Sequence, residues 1–211
     1  MNFFFDPITK QSYADKTGDA LFAPNPQVQL YNPYTFQPEY FDVEIKERDY
    51  YDDKGPILGV FWPDAMTQAM RKLSAKYGLQ GYNYTSNALD EGAEGYGPKF
   101  DTTLSILTGK PAWENMFSEF NSSDALYAYF EQSIYTPMIF TSVPKYNLTV
   151  TDPVMKEDHA YPIISTYYNT TTNAKMVHTR NVWGRTDNFT MADVWRNGLT
   201  FVHLRDYDRL A

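Results

Sequence analysis

Pro137-Met138-Ile139-Phe140-Thr141-Ser142-Val143, His159-Ala160-Tyr161-Pro162-Ile163-Ile164-Ser165-Thr166-Tyr167-Tyr168 and Ala174-Lys175-Met176-Val177-His178-Thr179-Arg180-Asn181-Val182-Trp183 are the stretches that decide the fold. Each is rich in β-branched and aromatic side chains, which suit a pleated, half-buried surface, and each is bounded by turn formers. Asn169-Thr170-Thr171-Thr172-Asn173 supplies a hairpin turn between the last two, so the three segments predict antiparallel strands. Downstream, Thr190-Met191-Ala192-Asp193 has the hydroxyl-then-acid spacing of a helix start, with Ala192, Val194 and Trp195 behind it and Gly198 to close it. Leu199-Thr200-Phe201-Val202-His203-Leu204-Arg205 then returns as a final strand.

Upstream of these strands the periodicity becomes helical. Trp62, Met66, Met70, Leu73 and Tyr77 form an apolar stripe opposite Arg71, Lys72 and Lys76, which predicts a core-facing helix from Pro63 that stops at Gly78. A short helix capped by Asp101 and closed by Gly109 follows, and another starts at Ser122 or Ser123 and runs to Phe130. Residues 1 to 60 are punctuated by Pro7, Pro24, Pro26, Pro33, Pro38 and Pro56, so long helices are excluded there. Tyr40 to Lys46 alternates, with Phe41, Val43 and Ile45 on one face, and predicts one strand. The fold class expected is α+β: an antiparallel sheet or open barrel with flanking helices.

The 211 residues suffice for one large or two small domains, and the aromatic content of 17% lets the chain bury enough surface to offset its ordering entropy. A net charge of −8 opposes the phosphate contacts on which general nucleic-acid affinity rests, so no nucleic acid is expected as a partner. No apolar run reaches the roughly 18–20 residues of a membrane helix, and Met1-Asn2-Phe3-Phe4-Phe5 resembles neither a secretory signal nor a transit peptide, so the expectation is an intracellular protein without a transmembrane segment. Asn83, Asn121, Asn147, Asn169 and Asn188 head Asn-x-Ser/Thr triplets, taken as chance in a chain rich in these residues.

There is no cysteine, hence no disulfide, no thiolate metal site and no thiol nucleophile within these residues. His159, His178 and His203 show no paired spacing of the kind zinc sites use, and the glycines between Gly78 and Gly97 are interleaved with Asp90, Glu91 and Glu94, which would repel a phosphate. No metal and no cofactor is expected. An acidic, glycine-rich loop of this kind is more often simply solvated than a calcium or acid-base site.

One constellation is more specific. Asp158-His159-Ala160-Tyr161, then a strand, a hairpin and Arg180-Asn181-Val182-Trp183-Gly184, resembles the second catalytic subdomain of the calpain family of papain-like cysteine peptidases. In that family a Gly-His-Ala-Tyr segment supplies the base and an Arg-Asn-Pro-Trp-Gly segment the asparagine that orients it. The chemistry asks for these residue types: imidazole takes the thiol proton, the amide oxygen holds its tautomer, and tryptophan shields the bond between them. The resemblance places His159, Asn181 and Trp183 in those roles. It extends to Phe61-Trp62-Pro63-Asp64-Ala65 and its helix, to Leu89 through Gly109, and to Phe189 through the last strand, covering about residues 40 to 207.

The departures set the functional expectation. The family's Gly-x-Cys-Trp nucleophile and oxyanion-hole glutamine are absent from this sequence, Asp158 replaces glycine, Val182 replaces proline, and the calcium-binding loop after Trp-Gly is cut to Arg185-Thr186-Asp187-Asn188. His159 is therefore expected to be vestigial, satisfied by Asn181 rather than catalytic. The implied protein is an inactive pseudopeptidase, a structural or protein-binding subunit of a larger intracellular assembly, with a cytoskeletal or ciliary setting preferred over a mitochondrial one. A second reading makes it half of a split endopeptidase whose thiol comes from a partner chain. A third is a carbohydrate- or peptide-binding module.

Two segments are expected, a proline- and aromatic-rich extension at 1–40 and the calpain-like subdomain at 41–211. Tyr31, Tyr34, Phe36 and Tyr40 are the binding candidates, because tyrosine offers large contact area with few rotors. Alternatively these aromatics line the module's own edge.

Overall fold

The computed structural model describes residues 4–5, 27–44, 50–52, 55–57, 62–79, 99–144, 149, 155–180 and 186–206. The chain divides into two compact units, Met1–Gly109 and Lys110–Ala211. The boundary expected between residues 40 and 41 falls inside a strand.

In the first unit, β1 (Phe4–Phe5), β2 (Gln27–Tyr31) and β3 (Pro38–Asp42) form an antiparallel sheet in that order, and β4 (Tyr50–Asp52) pairs with β5 (Gly55–Ile57). Proline punctuation thus shortens the strands without abolishing them, and the five alternating residues of β2 are too short a run to stand out in the sequence. Val28 and Leu30 of β2 are fully buried. Helix α1 (Trp62–Tyr77) packs against them, followed by Gly78 at φ 64°. Its most buried line is Ala65, Ala69 and Leu73, while Met66, Met70 and Tyr77 of the expected stripe pack around them. Alanine brings the helix backbone close to β2, and the longer side chains close the flanks. Helix α2 (Phe100–Thr108) adds Ile106 to this core and ends at Gly109, φ 69°. The cap expected of Asp101 is corrected: Lys99 stands at that position, and Asp101 lies in the first turn, where its carboxylate meets the positive end of the helix dipole and accepts from the Thr102 N–H at 2.5 Å.

The second unit is built on one open antiparallel sheet. In chain order its elements are β6 (Ala112–Met116), a 3-10 turn at Phe117–Glu119, α3 (Ser123–Phe130), a second 3-10 turn at Glu131–Ile134, β7 (Met138–Ser142), β8 (Ala160–Asn169), β9 (Ala174–Arg180), β10 (Thr186–Thr190), α4 (Met191–Asn197) and β11 (Gly198–Leu204). The sheet order is β10-β9-β8-β7-β11-β6, with β10 and β6 at the edges. The α+β class and the three central strands emerge as expected. The residues taken for a shortened loop, Thr186 to Asn188, instead belong to β10, paired along β9 from Thr186 opposite Arg180 to Thr190 opposite Met176. One face of the sheet carries Phe140, Tyr161, Ile163, Val177, Phe189 and Phe201 against Leu126 and Phe130 of α3 and Val194 of α4. On the other face Thr141 and Thr200 share a hydroxyl hydrogen bond of 2.7 Å, and Val202 and Leu204 are also fully buried, so β11 is covered on both sides.

Candidate functional site

His159 stands one residue before β8, and its main chain is pinned to the end of β7. The Ser142 N–H donates to the His159 carbonyl at 2.9 Å, the His159 N–H donates to Ser142 Oγ at 3.0 Å, and the Ser142 hydroxyl donates to the Lys156 carbonyl at 2.6 Å. Asp158, just before it, has φ 46°, in the left-handed region that a side chain disfavours and glycine adopts freely. The His159 ring is half-buried and meets the Tyr161 ring edge-on at 4.8 Å. Tyr161 is itself buried, stacked on Phe140 at 5.0 Å, and its phenol oxygen accepts from the Lys156 N–H at 2.7 Å. Burial pushes the Tyr161 phenol above its ordinary range, the charges of Asp187 and Glu157 add to this, and the Lys156 bond works against it. Asn181 and Trp183 lie outside the described residues, as do the acids Asp90, Glu91 and Glu94.

The two other histidines each meet an asparagine oxygen. His178 Nδ1 lies 2.7 Å from Oδ1 of Asn188, its directly opposite neighbour on β10, and the Tyr167 hydroxyl donates to the same oxygen at 3.3 Å. His178 is half-buried, whereas His203 is only 4% exposed. Its strand is buried on both faces, and its ring stacks on Phe201 at 4.7 Å. Its Nε2 lies 2.9 Å from Asn115 Oδ1, and its Nδ1 lies 2.6 Å from the Leu204 carbonyl. Asn115 is 88 residues away along the chain, so no local spacing announces this pair. Among the described residues no group of three or more His, Cys, Asp or Glu side chains is placed to hold a metal ion.

The aromatic candidates of the first unit divide between the β2–β3 turn and the unit's own packing. Asn32 organises the turn: its Oδ1 accepts from the Tyr34 and Thr35 N–H groups at 2.9 and 3.0 Å, and Phe36 turns back at φ 57°. Tyr34 is thrust outward, 67% exposed, with an edge-on contact to Tyr77 at 5.9 Å. Tyr40 is 38% exposed. Tyr31 and Phe36 are half-buried, and the Tyr31 ring lies directly over Gly109, where any Cβ would collide with it. Beneath the turn, Glu39 accepts from Lys76 Nζ at 2.7 Å, from the Tyr77 hydroxyl and from Asn32 Nδ2 at 3.2 Å. Partial burial pushes the Glu39 carboxyl up, but these bonds outweigh it and hold the group below the usual carboxylate range.

No protein-family model and no curated protein matches the chain. Among the described residues no helix is long and apolar enough to cross a membrane.

Proposed function

We propose that the chain is a calpain-like pseudopeptidase that serves as a structural, protein-binding subunit of a larger intracellular assembly, with the exposed Tyr34 and Tyr40 as part of its contact surface. The observation that carries the reading is Asp158: it takes the left-handed backbone of a glycine at the position where the resembled family has glycine before its base. A residue holding that strained conformation is what remains when a glycine is replaced and the surrounding chain keeps its course. The succession from His159 through the β8–β9 hairpin to α4 and β11 agrees with the family's order of elements. The sequence contains no cysteine, so a thiol acting through His159 would have to come from elsewhere. A cytoskeletal or ciliary setting follows from the resemblance alone.

The test uses the native assembly, treated with a thiol-directed activity probe and separately cross-linked. The expected result is no probe labelling beside His159, no peptide hydrolysis, and cross-links from the segment around Tyr34 to other subunits. A probe-labelled cysteine on a neighbouring chain, cross-linked next to His159, would overturn the inactive reading in favour of a split endopeptidase.

A further inference from the structure

The buried histidine of β11 sits in an arrangement that one protonation state satisfies and the other does not. Both ring nitrogens of His203 face oxygens, Nδ1 the Leu204 carbonyl at 2.6 Å and Nε2 the Asn115 Oδ1 at 2.9 Å. The direction of the Asn115 amide is set from its other end, where Nδ2 donates to Glu119 Oε2 at 2.6 Å. A neutral imidazole has one N–H, so one of the two oxygens would then confront a nitrogen lone pair; only the imidazolium donates to both. The neutral ring has one relief: a half-turn of the Asn115 amide brings Nδ2 to Nε2. That half-turn aims Oδ1 at the Glu119 carboxylate, acceptor against acceptor, and the exposed Glu119 escapes by rotating into water.

We propose that His203, Asn115 and Glu119 form a proton-operated latch at the β6 edge of the sheet: protonation of His203 fixes the Asn115 amide and holds Glu119 against the strand, and loss of the proton turns the amide and frees Glu119. The charged groups near this end of the sheet, among the described residues, are few. Glu119 reaches the ring through Asn115, and Arg205 lies over the Trp113 ring at 4.9 Å, Trp113 being the residue opposite His203 on β6. Glu114 is paired with Val202 and so projects from the other face. Met138 on β7 and Phe201 on β11 are not titratable. Burial pushes the His203 imidazole below its ordinary value, with the Leu204 bond opposing, while the bonds from Asn115 and the Met116 N–H hold the Glu119 carboxyl below its own.

Nuclear magnetic resonance of the full chain, with the histidine rings and asparagine side chains labelled, tests this between about pH 8 and pH 5, where histidine changes charge. The expected result is two ring N–H signals for His203 at the acid end and one at the other, with the Asn115 amide and Glu119 carboxylate signals shifting at the same midpoint. In Glu119→Gln, an exposed change that the fold tolerates, a carboxamide meets either Asn115 orientation. The Asn115 signals then cease to follow the histidine, and the His203 midpoint moves to lower pH. A His203 that titrates while Asn115 and Glu119 stay still, or one that keeps a single N–H throughout with Asn115 fixed, would overturn the latch.

Discussion

Gly198 opens β11 with an ordinary φ of −79°, so its lack of a side chain answers a steric demand rather than a conformational one. A Cβ built there falls within the Phe117 ring. That ring is hemmed in by Trp195, stacked at 6.1 Å, by Phe130 at 6.4 Å and by Phe140 at 6.5 Å, so it has no room to yield. Gly198→Ala is expected to destabilise the second unit by about 1–3 kcal/mol, the usual cost of overpacking, seen as a lower urea midpoint. A midpoint equal to that of the unaltered chain would mean that Phe117 moves freely. The sequence marks Gly198 as a helix terminator, which it is; its role as a seat for an aromatic ring from 81 residues earlier (198 − 117) is a tertiary fact.

Among the elements, α4 is short enough to depend on its cap. Thr190 Oγ1 accepts from the Asp193 N–H at 3.1 Å, the cap expected from the Thr-x-x-acid spacing, and the same hydroxyl donates to Asp193 Oδ2 at 2.7 Å. Thr190→Ala should cost about 1 kcal/mol, and Thr190→Ser, which keeps the hydroxyl, only a few tenths; equilibrium denaturation of the two variants side by side is the check. Equal losses would place the contribution in the methyl group's packing on β10 instead. Caps, turns and hydrophobic period are local properties, which is why α1, α3, α4, the Asn169–Asn173 turn and four strands were legible in advance. β6 and β10 were not, because Ala112–Met116 has no β-branched residue and Thr186–Thr190 is interrupted by Asp187 and Asn188, residues depleted in strands, so both become strands through their partners, β11 and β9.

For the whole molecule, acid should act on the two units in sequence. His203 in the second unit has an imidazole pushed below its ordinary value of 6.5, mainly by burial. As the pH falls beneath that value the unfolded chain binds the proton first, so the second unit loses stability from there downward, through the folded value. Glu39 in the first unit is held below its ordinary 4.5, because the bonds from Lys76, Tyr77 and Asn32 outweigh the upward push of burial. Its contribution is complete above 4.5 and is lost only as the pH falls through the folded value. Hydrogen exchange resolved by residue should therefore show protection falling in β11 at a higher pH than in α1. The opposite order would contradict both assignments.

The sequence by itself determined the class of fold, the antiparallel strands flanking His159, the caps of α3 and α4 and the absence of a thiol, since each rests on composition or on neighbours a few residues apart. Tertiary structure alone decided which histidine is buried, which tyrosines face outward and which polar groups meet. His203 and Asn115 come together because β11 lies between β7 and β6, and the pairing register that puts Asn115 opposite Phe201 depends on how the sheet assembles across the unit. Pattern and turn geometry set register between hairpin partners, but β6 and β11 are joined by no turn, so their register is fixed only when the sheet assembles.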